Sequence, residues 1–222
     1  MATAQATATS SKTHLTLRGS TAIVSDFFNF SVQSILYQRG IYPAEDFRPV
    51  KKYGLQMLIT TDDGLETYIG DCLKQVERWI EAGELTRLVV AIVEKESGET
   101  RERWQFDLEV TGKESEQPAS SSAPPAPGSK KTDAQVKAEI AAIIKQITAS
   151  CTFLPVIEEE CAFQILAYTN SQLSEPVPLE WQDSDARLIA EGQAEQVKLR
   201  SFSTAIHKVD AVVAYRRGEE DE

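Results

Sequence analysis

The chain has 222 residues, 41% of them hydrophobic, and a formal net charge of −11, enough apolar content for one large domain with a sizeable core. The acidity excludes a domain whose main work is gripping phosphate backbones, and the longest uninterrupted apolar run, 88–93, falls far short of a membrane span of about twenty residues. Residues 1–13, rich in Ala and Thr, read as a disordered tail without the pattern of a secretory signal, and three cysteines fit a cytosolic or nuclear protein with no disulfide framework.

A first helix is expected over 20–38, with Ser20 as N-cap and Gly40 as stop. Its apolar residues, Phe27, Phe28, Ile35 and Leu36 among them, spread over most of the wheel, so it is a central helix covered on most sides. A second helix over 63–81 carries the stripe Leu65, Ile69, Cys72, Val76 and Ile80, and Gly83 ends it. The apolar run 85–93 reads as a buried strand, 96–99 as a turn, and 103–110 as a half-buried strand with Trp104, Phe106, Leu108 and Val110 on one face.

At 111–133 the composition shifts to Pro, Ser, Ala and Gly, which predicts a flexible loop within one domain. A third helix follows over 133–151, opened by a capping box of Thr132 and Gln135 and buried along Val136, Ile140, Ile143, Ile147 and Cys151. Its other face holds Ala134, Ala138, Ala141, Ala142 and Ala149 around Lys145: either plain helix propensity or a surface that packs on a partner. The segment 153–169 is extended, and its second half, apolar on both faces, reads as a strand inside a sheet with cover on both sides. Residues 170–196 show no sustained period around Trp181, a length of irregular chain that is usually functional or disordered. Residues 197–215 are extended again, and 216–222 form an acidic tail.

Groups that carry chemistry are scarce. The two histidines, His14 and His207, have no metal-ligand spacing, and Cys72, Cys151 and Cys161 read as core thiols. Neither a phosphate-cradling glycine loop nor a nucleophile elbow occurs, and the acidic pairs read as a helix start and a solvated turn. Basic pairs such as Lys51-Lys52 and Arg216-Arg217 are too short to make a nucleic-acid stripe. What remains is a protein-binding module that uses a sheet edge, a helix face and a long mobile segment. An enzyme of unfamiliar type and a rigid scaffold are the rival classes.

Particular blocks then carry a resemblance: Leu17-Arg18-Gly19-Ser20, Ser34-Ile35-Leu36-Tyr37-Gln38-Arg39-Gly40-Ile41-Tyr42-Pro43, Lys52-Tyr53-Gly54-Leu55, Glu102-Arg103-Trp104-Gln105-Phe106-Asp107, Gln146-Ile147-Thr148-Ala149, Thr152-Phe153-Leu154-Pro155, Leu199-Arg200-Ser201-Phe202 and Ile206-His207-Lys208-Val209. In this order, from about Leu15 to Tyr215, they resemble the spindle-assembly checkpoint members of the HORMA family, in a fungal-like form with a Pro/Ser loop. The resemblance implies an α+β fold of three central helices packed on a mainly antiparallel sheet, one domain over 14–215, and a mobile C-terminal safety belt over 177–215. The belt closes over a peptide that adds as a strand beside 160–169. By the same resemblance, Trp79, Phe163, Ile165, Tyr168 and Trp181 line the peptide site. Arg39, Lys145, Gln146 and Phe153 belong to a surface that pairs open and closed conformers, with lysine at 145 where the family commonly has arginine. Leu17, Val197, Leu199, Phe202, His207 and Tyr215 change packing between the two states.

The implied function is stoichiometric inhibition without enzyme activity, cofactor or metal. A closed copy held by a coiled-coil kinetochore checkpoint receptor recruits an open copy, which closes around the mitotic activator of the anaphase-promoting complex. The checkpoint kinase-related subunit of the inhibitory complex is a further partner, and an AAA-type ATPase with a HORMA adaptor reopens the belt. Neither nucleic acid nor membrane is an expected partner. The implied location is the nucleus and kinetochore, also the cytoplasm and nuclear envelope. The nearest alternative in the same fold is a HORMA adaptor subunit of translesion polymerase or the meiotic chromosome axis.

Overall fold

In the computed structural model, which describes residues 16–111, 131–170 and 173–217, helix α1 (Leu17–Gln38) lies at the centre. Its cap is Thr16, whose hydroxyl accepts from the Gly19 N–H at 3.1 Å, and not Ser20 as expected. Gly19 hides the true start, because glycine costs about 1 kcal/mol inside a helix and reads as a break. Ser20 sits one turn in and is fully buried. The stop is as expected: Gly40 takes φ +65° and the Ile41 N–H reaches back to the Leu36 carbonyl, a glycine C-terminal cap.

A hairpin absent from the sequence reading follows, β1 (Phe47–Lys52) with β2 (Leu55–Thr60), in full antiparallel register. Its two-residue turn places Tyr53 at φ +52° and Gly54 at φ +71°, the paired left-handed geometry that favours Asn-Gly. Tyrosine in the first position removes the usual signal; its hydroxyl is anchored by donation to Asp26 Oδ2 at 2.5 Å. Helix α2 (Asp63–Glu81) starts at Asp62, which accepts from the Leu65 N–H at 2.6 Å, and Gly83 at φ +68° follows its end.

The main sheet is five-stranded and antiparallel: β3 (Leu85–Glu94), β4 (Thr100–Val110), β5 (Cys161–Thr169), β6 (Ala194–Ser203) and β7 (His207–Arg216), in the order β5-β3-β4-β7-β6. Leu88, Val90 and Ile92 of β3 and Trp104, Phe106 and Leu108 of β4 face the helices in one continuous core. Phe27 of α1 meets Phe106 and Phe202 edge-on, with ring centroids 5.5 and 4.8 Å apart. Val110, grouped with the buried face from its alternation, is exposed at the end of its strand.

Helix α3 (Asp133–Ala149) carries the capping box read from Thr132 and Gln135. It stops before Cys151, and a tight 3₁₀ turn covers Ser150–Thr152. Cys151 is therefore exposed, which corrects its reading as a core thiol; Cys72 and Cys161 are half-buried, and burial raises both thiols, the opposite of nucleophile activation. Ala141, expected on the open face of α3, is buried with Ile144.

The largest correction concerns β5. It lies at an edge of the sheet, paired only with β3, and Ile165 is its one buried residue. Its apolar character serves a covered edge instead of an interior position. The N-terminal tail with His14, most of the Pro/Ser loop and the last residues of the acidic tail lie outside the described residues. Among the described residues no helix is long and apolar enough to cross a membrane, and no His/Cys/Asp/Glu group gathers in a metal-binding cluster.

Candidate peptide-binding site

Among the described residues, the outer edge of β5 pairs with no other strand, and such a row of unpaired backbone groups is the template for strand addition. The chain that follows β5 does not leave it open. Asn170 donates from its backbone N–H to the Glu84 carbonyl (2.9 Å) and from Nδ2 to the Gly83 carbonyl (3.1 Å). The buried Glu84 carboxylate accepts the Ser174 N–H at 2.6 Å. The indole of Trp181 then stands edge-on against Trp79 of α2, with centroids 5.0 Å apart. A few residues later the strap is on the other side of the sheet: Arg103 Nε donates to the Ala186 carbonyl (3.2 Å) and Arg187 Nε to Gln164 Oε1 (2.8 Å).

Strand register fixes which side each contact lies on. Ile165, Val90, Trp104 and Val213 are successive partners and face the helices, so the adjacent row Gln164, Ala91, Arg103 and Ala214 faces away. The strap therefore starts on the helical side at Trp181, rounds the free edge and reaches the outer face at Ala186. Between strap, edge and α2 lies a groove of about 900 Å³, with Tyr68, Cys72 and Arg78 on the α2 wall, Ile165 and Tyr168 on the strand, and Trp181 to Ala186 on the strap. Burial, reinforced by the neighbouring Cys72, pushes the Tyr68 hydroxyl up to about 12, so it is a neutral hydrogen-bonding group in the groove.

Of the five residues expected to line a peptide, Ile165, Tyr168 and Trp181 meet at this groove. Trp79 is buried behind Trp181 and supports the wall without forming it. Phe163 packs away from the groove, edge-on to Tyr42 and Tyr68 at 6.1 and 5.6 Å. Tyr68 itself, Arg103 and Arg187 were missed by sequence reasoning: Tyr68 lies beside the apolar stripe of α2 and only widens that face, and nothing local marks the two arginines.

The second expected surface is partly assembled. Lys145 is exposed and makes no ion pair among the described residues, and Phe153 is exposed nearby in sequence. Gln146 is turned toward the C-terminal hairpin, where its Oε1 accepts the Arg200 N–H at 2.7 Å. Arg39 is not on this surface. Its guanidinium is buried against Glu102 at 2.5 Å and donates to the Pro155 carbonyl, while Glu102 also accepts from Trp104 Nε1 at 3.0 Å. Burial raises the Glu102 carboxyl, and Arg39 opposes that rise.

The residues assigned to a switch divide in the same way. Leu199, Phe202 and His207 are buried, Val197 and Tyr215 are half-buried, and Leu17 is exposed at the start of α1. Tyr215 donates to Glu195 at 2.7 Å within the β6–β7 hairpin. Contacts of α1 and α3 with this hairpin hold it on β4, the side of the sheet away from the groove.

The HORMA domain family matches residues 20–207. The mitotic spindle checkpoint component mad2 of Schizosaccharomyces pombe is 45% identical over 205 residues, 92% of this chain and 96% of that protein. The human mitotic spindle assembly checkpoint protein MAD2A is 45% identical over 204 residues, 91% of this chain and 93% of its own length. A chain in the crystal structure of the mitotic checkpoint complex superposes with a TM-score of 0.76 at 44% identity, covering 90% of this chain and all of that one. Caenorhabditis elegans HTP-1 bound to an HTP-3 motif has the same fold, with a TM-score of 0.73 at 15% identity and 90% and 91% coverage. A closed strap over a free sheet edge, the three central helices and these likenesses converge: the chain belongs to the HORMA family.

Proposed function

We propose that this protein is a spindle assembly checkpoint component that works as a peptide trap and not as an enzyme. The observation that carries the reading is the strap closed around the unpaired edge of β5, with a groove between them. A strand laid on that edge gains backbone hydrogen bonds from β5 and is enclosed by the strap. The hairpin of β6 and β7 lies on the opposite edge, so the two sides of the sheet are used for different purposes. An open conformer differs by the course of the C-terminal segment after β5, and two packings within a few kcal/mol of each other make such a switch.

In this reading the trapped peptides belong to a coiled-coil kinetochore receptor and to the mitotic activator of the anaphase-promoting complex. The activator is held in an inhibitory complex with a checkpoint kinase-related subunit until kinetochores attach. A second copy docks on the Lys145 face of α3, and an AAA-type ATPase with its adaptor reopens the strap. The protein acts at kinetochores and in the nucleus, and also in the cytoplasm and at the nuclear envelope. The alternative of a translesion-polymerase or meiotic-axis adaptor has less support. Relatives named for the mitotic spindle checkpoint cover more than nine-tenths of this chain at 45% identity.

The test mixes the full chain with a synthetic peptide carrying a basic residue, two adjacent aliphatics and a downstream proline. Ion-exchange and size-exclusion chromatography then follow the species formed. Two slowly interconverting monomer species, one of them favoured by the peptide, are expected. A single species that ignores the peptide, in protein shown to be free of bound ligand, overturns the reading.

A further inference from the structure

We infer that Arg187 with Gln164, and Arg103 with Ala186, form a buckle that fixes where the strap crosses the sheet and sets how long a trapped peptide stays. The inference rests on the peptide-trap reading and assigns its release step to particular side chains. Gln164, Ala91 and Arg103 are successive partners across β5, β3 and β4 and share the outer face. The strap is pinned at both ends of this row, by Arg187 Nε to Gln164 Oε1 at 2.8 Å and by Arg103 Nε to the Ala186 carbonyl at 3.2 Å. Ala91, between the two pinned positions in this row, is fully buried.

The two arginines act differently. Arg103 is 6% exposed and its rigid fork is fully engaged: besides Ala186, it donates to Gln105 Oε1 (2.5 Å) and to the Tyr168 hydroxyl oxygen (3.0 Å). One guanidinium thus holds both a groove-wall side chain and the strap. Arg187 has φ +50°, a left-handed conformation that is unfavourable for a non-glycine residue. A backbone bend of that kind persists only where surrounding contacts hold it, and its own side-chain bond to Gln164 is such a contact.

Topology gives the buckle its consequence. The strap from Trp181 to Ala186 lines the groove, and the Arg187–Gln164 bond ties its far end back to β5. A peptide strand on the β5 edge then lies inside a closed ring, part covalent and part hydrogen-bonded. It escapes by threading out or by release of the buckle, so a weaker buckle speeds departure.

The experiment uses the full chain loaded with a fluorescently labelled form of the peptide described above, and follows label loss after adding excess unlabelled peptide. Arg187→Ala and Gln164→Ala are each expected to speed release roughly tenfold, the lower end of the range for losing one hydrogen bond to a charged group. The double substitution is expected to add little to either, because both remove the same bond. Gln164→Glu is expected to slow release, since a carboxylate binds the guanidinium more strongly than an amide does. Slower release cannot arise from damaged folding. Leu188→Ala, on the exposed neighbouring strap residue, is expected to leave the rate unchanged. Unchanged release in both alanine variants, equal acceleration in Leu188→Ala, or no slowing in Gln164→Glu overturns the buckle while leaving the trap intact. Failure of the unsubstituted chain to take up peptide overturns the trap reading itself.

Discussion

Ser20 Oγ lies 2.6 Å from His207 Nδ1, joining the first turn of α1 to the first residue of β7 inside the core. The Ser20 hydroxyl is also 2.6 Å from Thr204 Oγ1, and Thr204 Oγ1 accepts the His207 N–H at 2.9 Å, so three residues pin the β6–β7 turn to the helix. Among the described residues, His207 Nε2 is buried without a partner. A proton there would place an unpaired charge in the core, and burial holds the imidazole below its ordinary range.

Stability is therefore expected to fall as pH drops through the histidine range. The unfolded chain takes up a proton near pH 6.5 more readily than the folded chain, so the loss begins there and grows as pH falls toward the lowered folded value. Glu102, whose carboxyl is raised, contributes in the opposite sense: the folded state binds its proton first, so its share grows as pH falls through the lower carboxylate range. Urea unfolding at pH 7.5 and 5.5 measures the step. It is expected to vanish in His207→Gln, and a step of unchanged size in that variant would show that the charge change lies elsewhere.

The Arg39–Glu102 pair gives a prediction about fold rather than assembly. Both side chains are almost fully enclosed, 5% and 3% exposed. Arg39→Ala leaves a buried carboxylate without its partner and is expected to cost about 3–5 kcal/mol. Chemical denaturation is expected to show that loss at concentrations where the chain is a monomer. Normal monomer stability with lost self-association would instead return Arg39 to the interface role that the family resemblance implied.

Where residues near in sequence decide an element, the sequence was readable. Thr132 with Gln135 opens α3, Gly83 ends α2, and the alternation from Arg103 to Leu108 marks β4. The β1–β2 hairpin was hidden because its turn uses Tyr53 at positive φ, held by Asp26 from a different element. Strand β5 looked interior because apolar residues suit a covered edge as well as a central strand, and order within a sheet is not written in local pattern. The groove was partly legible through family resemblance at Ile165, Tyr168 and Trp181, but the pins of the strap were not. Arg103 and Ala186 are 83 positions apart, and no period links them.

Lys145→Glu offers a test that separates assembly from trapping. It is exposed on α3, while the groove lies between α2, β5 and the strap. Lys145→Glu reverses the charge on that face without touching the groove, so it is expected to abolish self-association and leave peptide uptake intact. Sedimentation and peptide binding on the same samples read the two properties. Loss of both would mean that Lys145 supports the fold.

Trp181 and Trp79 form one aromatic contact but should fail differently. Trp79 is 5% exposed and belongs to the continuous core, so Trp79→Ala opens a cavity and is expected to cost about 3–5 kcal/mol of global stability. Trp181 is half-buried and packs against that core from the strap. Trp181→Ala removes an edge-on pair worth about 0.5–1.5 kcal/mol beyond its buried area and frees the strap on the helical side of the groove. It is expected to lower the melting temperature by only a few degrees while sharply shortening peptide retention. Calorimetry on the peptide-free chain and dissociation of labelled peptide measure the two effects separately. If Trp181→Ala destabilised the peptide-free chain as much as Trp79→Ala, the strap would be part of the folding core, and its freedom to open would have to lie beyond Trp181, nearer Arg187.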